Sequence, residues 1–464
     1  MQPVPKWAWI TAISAAMLGL SSEYPLLTAA CCLTLPILAS LLLFKGESPI
    51  LFACCAMQWL QVVAAVFYAD FYSAKLEVVL QFPDVEKATW LGLGAILSLA
   101  LGMRLSLDSY KRGLLMAESM ERNLLNLSLG RSYQAWWTSF IIASVLGAVA
   151  WKFGAFRQFS TPLLSIKWVF FFIFTYRVLV TGAGYGLLAI SIIVEFVTGM
   201  TGYFSSFKEV LMMLVIVAMS LPRSLNLKNR GLVIAAVVIG FVASVFWSVV
   251  KMEYRDYLKT RWQQKGSPDF ATRVEAMKFL ASTVNAEKMD EGFKALVARV
   301  SYTGLFGATV NHVPAFEPHA RGELWLGAVR HVLMPRILFP NKKVLDDSER
   351  ARRFTGIRLA GAEEGTSIGI GYVAESYADF GVPGMFFPIC LLGMLMAWIY
   401  QKFCGIQTSG LVGTAVGTAV LFTLILSFAT SNGKVLGSLI TISLAYAALN
   451  KVFGAGLVRW FYRG

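Results

Sequence analysis

Long apolar stretches alternate with short polar ones along most of this chain. A helix needs roughly 20 apolar residues to cross about 30 Å of hydrocarbon. Runs of about that length recur at 7–22, 25–44, 49–71, 88–107, 134–153, 163–181, 184–200, 205–221, 231–250, 383–403, 409–428 and 435–453. Continuous blocks of this kind predict helices, whereas a membrane barrel would show short alternating strands. The expected fold class is an all-α polytopic membrane protein with about 12 transmembrane helices. Three regions follow from the pattern: 1–250 with the first nine helices, 251–382 as one long polar interruption, and 383–464 with the last three helices and a tail.

The polar interruption has its own periodicity. It opens as KMEYRDYLKTRWQQKGSPDF, and Gly266-Ser267-Pro268 marks a break. From Thr272 to Val310, apolar and charged residues alternate at helical spacing, which predicts amphipathic helices lying on the membrane surface or packed on the bundle. Pro314 and Pro318 interrupt them, and the segment ELWLGAVRHVLM predicts a further helix that stops at Pro335. A basic linker from Arg336 to Arg358 follows, its middle from Lys343 onward expected to be solvated or lipid-facing. A glycine-rich turn region then leads into the tenth span.

Composition agrees with this pattern, with 57% hydrophobic and only 15% charged residues, against about a quarter charged in soluble domains. The formal charge of +14 does not argue for nucleic acid, because basic residues in short loops orient such a chain in its bilayer and meet anionic lipid. With twelve spans, the segments bearing Arg112 and Arg122, Arg223 and Arg230, and Arg459 and Arg463 share one side, while Asp70, Glu77, Asp84 and Glu86 fall on the other. The positive-inside rule then makes both termini cytoplasmic and 251–382 extracytoplasmic, periplasmic in a bacterial inner membrane. The run from Trp7 to Ser21 is read as a retained helix rather than a cleaved signal. The cysteines, in or beside spans, match neither zinc-ligand spacing nor a disulfide framework, and no metal or other cofactor is expected.

Candidate chemistry gathers between Arg321 and Gly381. The basic cluster Arg336, Lys342, Lys343, Arg350, Arg352, Arg353 and Arg358 is interleaved with Asp346, Asp347 and Glu349. Arginine forks match phosphate oxygens, so the cluster reads either as a seat for a lipid pyrophosphate or as a solvated charge run. All three histidines, His312, His319 and His331, lie in the same region and could serve as a base near neutrality. Glu363, Glu364, Glu375 and Asp379 are the acidic counterpart, with Glu375 and Asp379 on one face if AESYADF is helical. They read either as proton acceptors facing a wet cavity or as ion-pair partners of the arginines. Tyr302, Trp325, Tyr372 and Tyr377 are possible stacking surfaces for sugars.

Two short elements carry a family resemblance. LMPRILFPNK contains a PR-x3-P-x-K pattern (Pro335, Arg336, Pro340, Lys342), and GTSIGIGYVAESYADFGVPG contains E-x-Y-x-x-FG (Glu375, Tyr377, Phe380, Gly381) just before an apolar span. Together with many spans and one large late loop, this resembles the Wzy-type polymerases of bacterial oligosaccharide repeat units. The family's element continues with Pro where this chain has Lys343.

The resemblance implies a GT-C-like plan and a glycosyltransferase that makes O-antigen or exopolysaccharide from polyprenyl-pyrophosphate-linked repeat units. It places Arg336 and Lys342 at the donor pyrophosphate, and Glu375 and Tyr377 near the sugar cavity. Arg353 and Arg321 are further candidates for the pyrophosphate, Glu364, Glu375 and His331 for the base, and Tyr372 and Trp325 for the glycan. A chain-length regulator and a flippase of the same pathway are the implied protein partners. An O-antigen ligase shares the plan, and a transporter or flippase of lipid-linked glycans is the alternative from another class.

Overall fold

The computed structural model of the chain describes residues 5–44, 47–107, 127–152, 157–201, 206–221, 227–265, 270–334, 339, 346–361, 366–406, 410–425 and 427–462. Among these residues the regular structure is entirely helical. In chain order the helices are α1 (Lys6–Leu18), α2 (Pro25–Leu42), α3 (Ile50–Tyr72), α4 (Leu76–Leu80), α5 (Val85–Ser106), α6 (Leu129–Lys152), α7 (Arg157–Thr181), α8 (Tyr185–Thr201), α9 (Phe207–Met219) and α10 (Leu227–Lys265). They continue as α11 (Phe270–Ser282), α12 (Ala286–Val300), α13 (Thr303–His312), α14 (Glu323–Leu333), α15 (Asp347–Thr355), α16 (Tyr372–Gly384), α17 (Phe386–Ile406), α18 (Gly410–Phe422) and α19 (Asn432–Tyr462).

Each apolar run read from the sequence is mainly helical, though 383–403 straddles α16 and α17 and 409–428 extends past the end of α18. Among the described residues, seven stretches are long and apolar enough to cross a membrane: Pro25–Leu42, Ile50–Tyr72, Val85–Ser106, Leu163–Thr181, Asn229–Lys251, Phe386–Gly405 and Asn432–Tyr462. The protein is therefore a helical membrane protein. Three other apolar runs form helices of only 13 residues, α1, α9 and α18. At about 1.5 Å per residue each is near 20 Å long. The run read as 409–428 shows why: α18 stops at Phe422, and the chain turns before a short 3₁₀ segment at Ser427–Ala429. Apolar composition does not reveal that break, because the freed backbone groups are bonded inside the protein.

The chain forms two compact units, one of Met1–Phe170 with Val300–Gly464 and one of Phe171–Arg299. The polar region 251–382 is thereby divided, with α11 and nearly all of α12 in the second unit and α13 to α16 in the first.

Within the first unit, α17 runs against α5. A Cβ at Gly102 would sit 2.0 Å from the Cys390 carbonyl oxygen, and one at Gly393 would sit 2.1 Å from that of Leu99. Glycine on both sides lets the two backbones touch, a common device where helices pack in lipid. One buried polar network threads this apolar core. The Gln58 amide donates to Ser427 Oγ at 2.9 Å and accepts from the Tyr372 hydroxyl at 2.7 Å, joining α3, the break after α18 and the start of α16.

The second unit has its own core of Phe207, Trp247, Tyr254 and Leu280. The Tyr185 hydroxyl donates to Asn229 Oδ1 at 2.9 Å and links α8 to α10.

Candidate functional site

The site is organised by α16, and its sequence explains how a polar helix is held inside. Gly371, just before the helix, has φ +87, and a Cβ there would lie 2.2 Å from the Phe428 carbonyl oxygen. Glycine alone meets both demands without strain. The next amide, Tyr372 N–H, donates to the Thr430 carbonyl at 2.7 Å. Small residues at Ala374, Ser376 and Ala378 let the helix sink until everything from Tyr372 to Asp379 is buried. The helical run ends at Gly381, with φ 61 and ψ −162, and the chain bends there toward α17.

Asp379 shows what one buried carboxylate does. Its Oδ1 accepts the Leu324 N–H at 3.0 Å and its Oδ2 the Trp325 N–H at 2.8 Å, so it caps α14 from another helix. The chain entering α14 is pinned as well, with Ala320 N–H on the Ala378 carbonyl and Arg321 N–H on the Asp379 carbonyl. Capping amides favour the charged carboxylate, but burial outweighs them and pushes the Asp379 carboxyl above its usual range. The Trp325 indole N–H completes the seam by donating to Ser376 Oγ at 2.9 Å.

Glu375, one turn earlier on the same face, sits differently. It is 1% exposed. Its Oε2 accepts the Asn432 backbone N–H at 2.8 Å, and its Oε1 lies 3.8 Å from Arg350 Nη1. The arginine is an ion-pair partner too far away to donate a full hydrogen bond. Burial dominates and pushes the Glu375 carboxyl up to about 7, against the lowering pull of the Asn432 N–H and Arg350; Asp347 and Asp379 add to the rise. A carboxyl with that affinity can take up and release a proton near neutrality.

The groups around Glu375 arrive from three directions. α15 is capped by Asp346, whose Oδ1 accepts the Ser348 and Glu349 amides, and it ends at Gly356 with φ 69. It carries Asp347, which is buried, and Arg350, whose Nη2 lies 4.0 Å from where a Cβ on Gly327 of α14 would be. The start of α19 supplies Ser431, Asn432 and Lys434. Lys434 Nζ bonds Asp347 Oδ2 at 2.6 Å and Ser367 Oγ at 3.0 Å, and it is half exposed. The Tyr302 hydroxyl donates to the Gly369 carbonyl, and burial pushes that phenol up to about 12. Asp347 Oδ1, Arg350 Nη1, Ser431 Oγ and both polar atoms of the Asn432 side chain are buried without a protein hydrogen-bond partner. Such atoms usually find partners in native proteins, and their concentration beside one ion-pair network marks a place built for polar contacts. Two carboxylates, two cations and a helix N-terminus are groups that can bind an anion and move a proton.

The residues expected from the sequence separate into groups. Glu375 is at the centre, with Trp325 bonded to the neighbouring Ser376. Tyr372 and Tyr377 are interior residues, their hydroxyls bonded to Gln58 and to the Val313 carbonyl at 3.1 Å. His331 is half-buried in the last turn of α14. Arg353 points outward and pairs with Glu317 at 2.6 Å and Glu323 at 3.6 Å, and Arg321 is exposed with a left-handed φ of 51. Glu364, Arg336 and Lys342 lie outside the described residues.

The expectation that Lys343 to Arg358 is mostly solvated is corrected over Asp347–Thr355, which is a helix with Asp347, Ser348, Ala351 and Phe354 buried. Sequence reading missed Lys434, and it placed Arg350 and Asp347 in the basic cluster without joining them specifically to Glu375. Asp346 followed by Glu349 is a capping-box signal, and Asp347, Ala351 and Phe354 then recur at helical spacing. The density of charge hid that pattern.

Residues 105–450 match a family described as a domain of unknown function, DUF8712. The match spans well over half of the chain, which therefore belongs to that family. No curated protein and no solved structure matches the chain.

Proposed function

We propose that this family member is a membrane glycosyltransferase that polymerises oligosaccharide repeat units carried on polyprenyl pyrophosphate. The observation that carries the reading is Glu375: a fully buried carboxyl near pKa 7, bonded to a helix N-terminus and facing Arg350. In the proposed reaction the acceptor sugar hydroxyl attacks the anomeric carbon at the donor's reducing end. Its proton passes to the Glu375 carboxylate as the new C–O bond forms. The bond from that carbon to the pyrophosphate oxygen breaks, and lipid pyrophosphate leaves with the electron pair. Arg350 and Lys434 are the cations suited to the departing phosphate oxygens, and the resemblance adds Arg336 and Lys342. A leaving group of this kind is already activated, so the step needs no nucleotide.

The finer placement belongs to the same proposal. Twelve spans in a GT-C-like plan, a bacterial inner membrane, both termini in the cytoplasm and the site on the opposite face fit the distribution of basic loops. The test is to incubate the purified protein with lipid-linked repeat units alone. A ladder of products is expected from the wild type and only single units from Glu375→Gln. An enzyme that hands finished glycan to another acceptor makes no ladder, so absence of a ladder from active wild-type protein overturns the polymerase reading.

A further inference from the structure

Helix α14 has two faces, and the outward one is unusual for a segment expected on the water side of the membrane. Leu324 and Ala328 are buried inward. Leu326, Val329 and Leu333, spaced i, i+3 and i+7, are 60%, 42% and 72% exposed. Such a stripe either meets an apolar partner or is a liability in water.

Two observations identify what covers it. The first is continuity with the spanning helix α17, whose outward stripe includes Phe387, Leu391 and Trp398. That stripe passes to α14 through Phe380, which is 40% exposed. The Phe380 side chain lies 2.9 Å from where a Cβ on Gly384 would be, and its ring lies 3.4 Å from where one on Gly322 would be. Gly384 is two residues before α17, and Gly322 immediately precedes α14. The second is depth. On the inward side the Val332 side chain lies 3.9 Å from where a Cβ on Gly437 would be. Gly437 lies beyond the polar start of α19, in the apolar run that begins at Val435. The last turn of α14 is therefore level with the start of the apolar run of a spanning helix.

We propose that α14 is embedded in the membrane interface, with Leu326, Val329 and Leu333 against lipid acyl chains and the exposed Arg330 reaching back to the headgroups. Long basic side chains adopt that posture beside apolar surfaces. Arg350, the ion-pair partner of Glu375, has its Nη2 4.0 Å from where a Cβ on Gly327 would be, so the polar network lies beside this interfacial helix. That placement sets the network within reach of an amphiphile held in the bilayer. The inference rests on the membrane character of the protein and stands independently of the glycosyltransferase reading.

The test is site-specific photocrosslinking of the full chain in phosphatidylethanolamine–phosphatidylglycerol nanodiscs. Benzoylphenylalanine replaces Leu326 or Leu333, with Leu391 as a lipid-facing reference and the exposed Glu349 as a water-facing one. Intact-mass spectrometry after illumination is expected to show lipid adducts at 326, 333 and 391, at least fivefold above Glu349. Adducts at 326 and 333 no greater than at 349, or a crosslink there to a second copy of the chain, would overturn the proposal. Two independent α14 positions keep the test decisive if one variant fails to fold.

Discussion

At Glu375 the carboxyl is raised from 4.5 to about 7, and the sign of its linkage to stability is definite. Across that window the folded protein keeps a proton that the unfolded chain has released. Stability therefore falls as pH rises through it. In Glu375→Gln this slope should disappear, leaving the midpoint of thermal unfolding flatter between those pH values than in the wild type. A neighbouring pair of substitutions separates site from surface. Arg350 lowers the Glu375 pKa, so Arg350→Ala should move the midpoint of activity to higher pH. Arg353, one turn along the same helix, pairs with Glu317 and Glu323 at the surface. Exposed pairs of that kind are worth up to about 1 kcal/mol, so Arg353→Ala should leave the pH–rate profile in place. A profile that moves equally in both variants would contradict the assignment of Arg350.

Among the elements, α14 and α16 depend on each other through Asp379. Loss of a capping side chain costs about 0.5–2 kcal/mol, and here two amides lose their acceptor. Asp379→Ala should lower thermal stability and expose the Gly322–Leu326 region to limited proteolysis, whereas Asp379→Asn should do so less. Gly371→Ala should be severe, since it combines a left-handed φ with a Cβ 2.2 Å from a carbonyl oxygen. Solubilised yield and unfolding midpoint would both report it. The helical face shared by Glu375 and Asp379 was legible in the sequence, because i and i+4 spacing follows from helix geometry alone. The direction of that face was not. It is set by Gly371, by small residues at every second position, and by carbonyls freed where α18 ends, all contacts far apart in the chain. For the same reason Lys434 gave no signal: it reaches Asp347 across 87 positions of sequence.

Across the whole molecule, the apolar runs were legible since a bilayer demands length and composition that few other environments do. The partition of 251–382 between two compact units was not, since amphipathic helices show periodicity but not which surface they join. The proposed sidedness gives a direct expectation. An impermeant maleimide should label a cysteine placed at Glu287 in intact spheroplasts and label one placed at Arg459 only after lysis. Labelling in the reverse order would contradict the topology. The central claim is that Glu375 is the base of a glycosyl transfer, and the pH dependence of the initial rate tests it most directly. With purified protein and lipid-linked repeat units, the wild-type rate should rise through about pH 7, where the carboxyl loses its proton, and then level off. Removing a general base typically costs about 10²–10⁴-fold, so Glu375→Gln should be slower by that much and show no such rise. A variant that keeps the wild-type rate, or keeps the same inflection, would contradict the account.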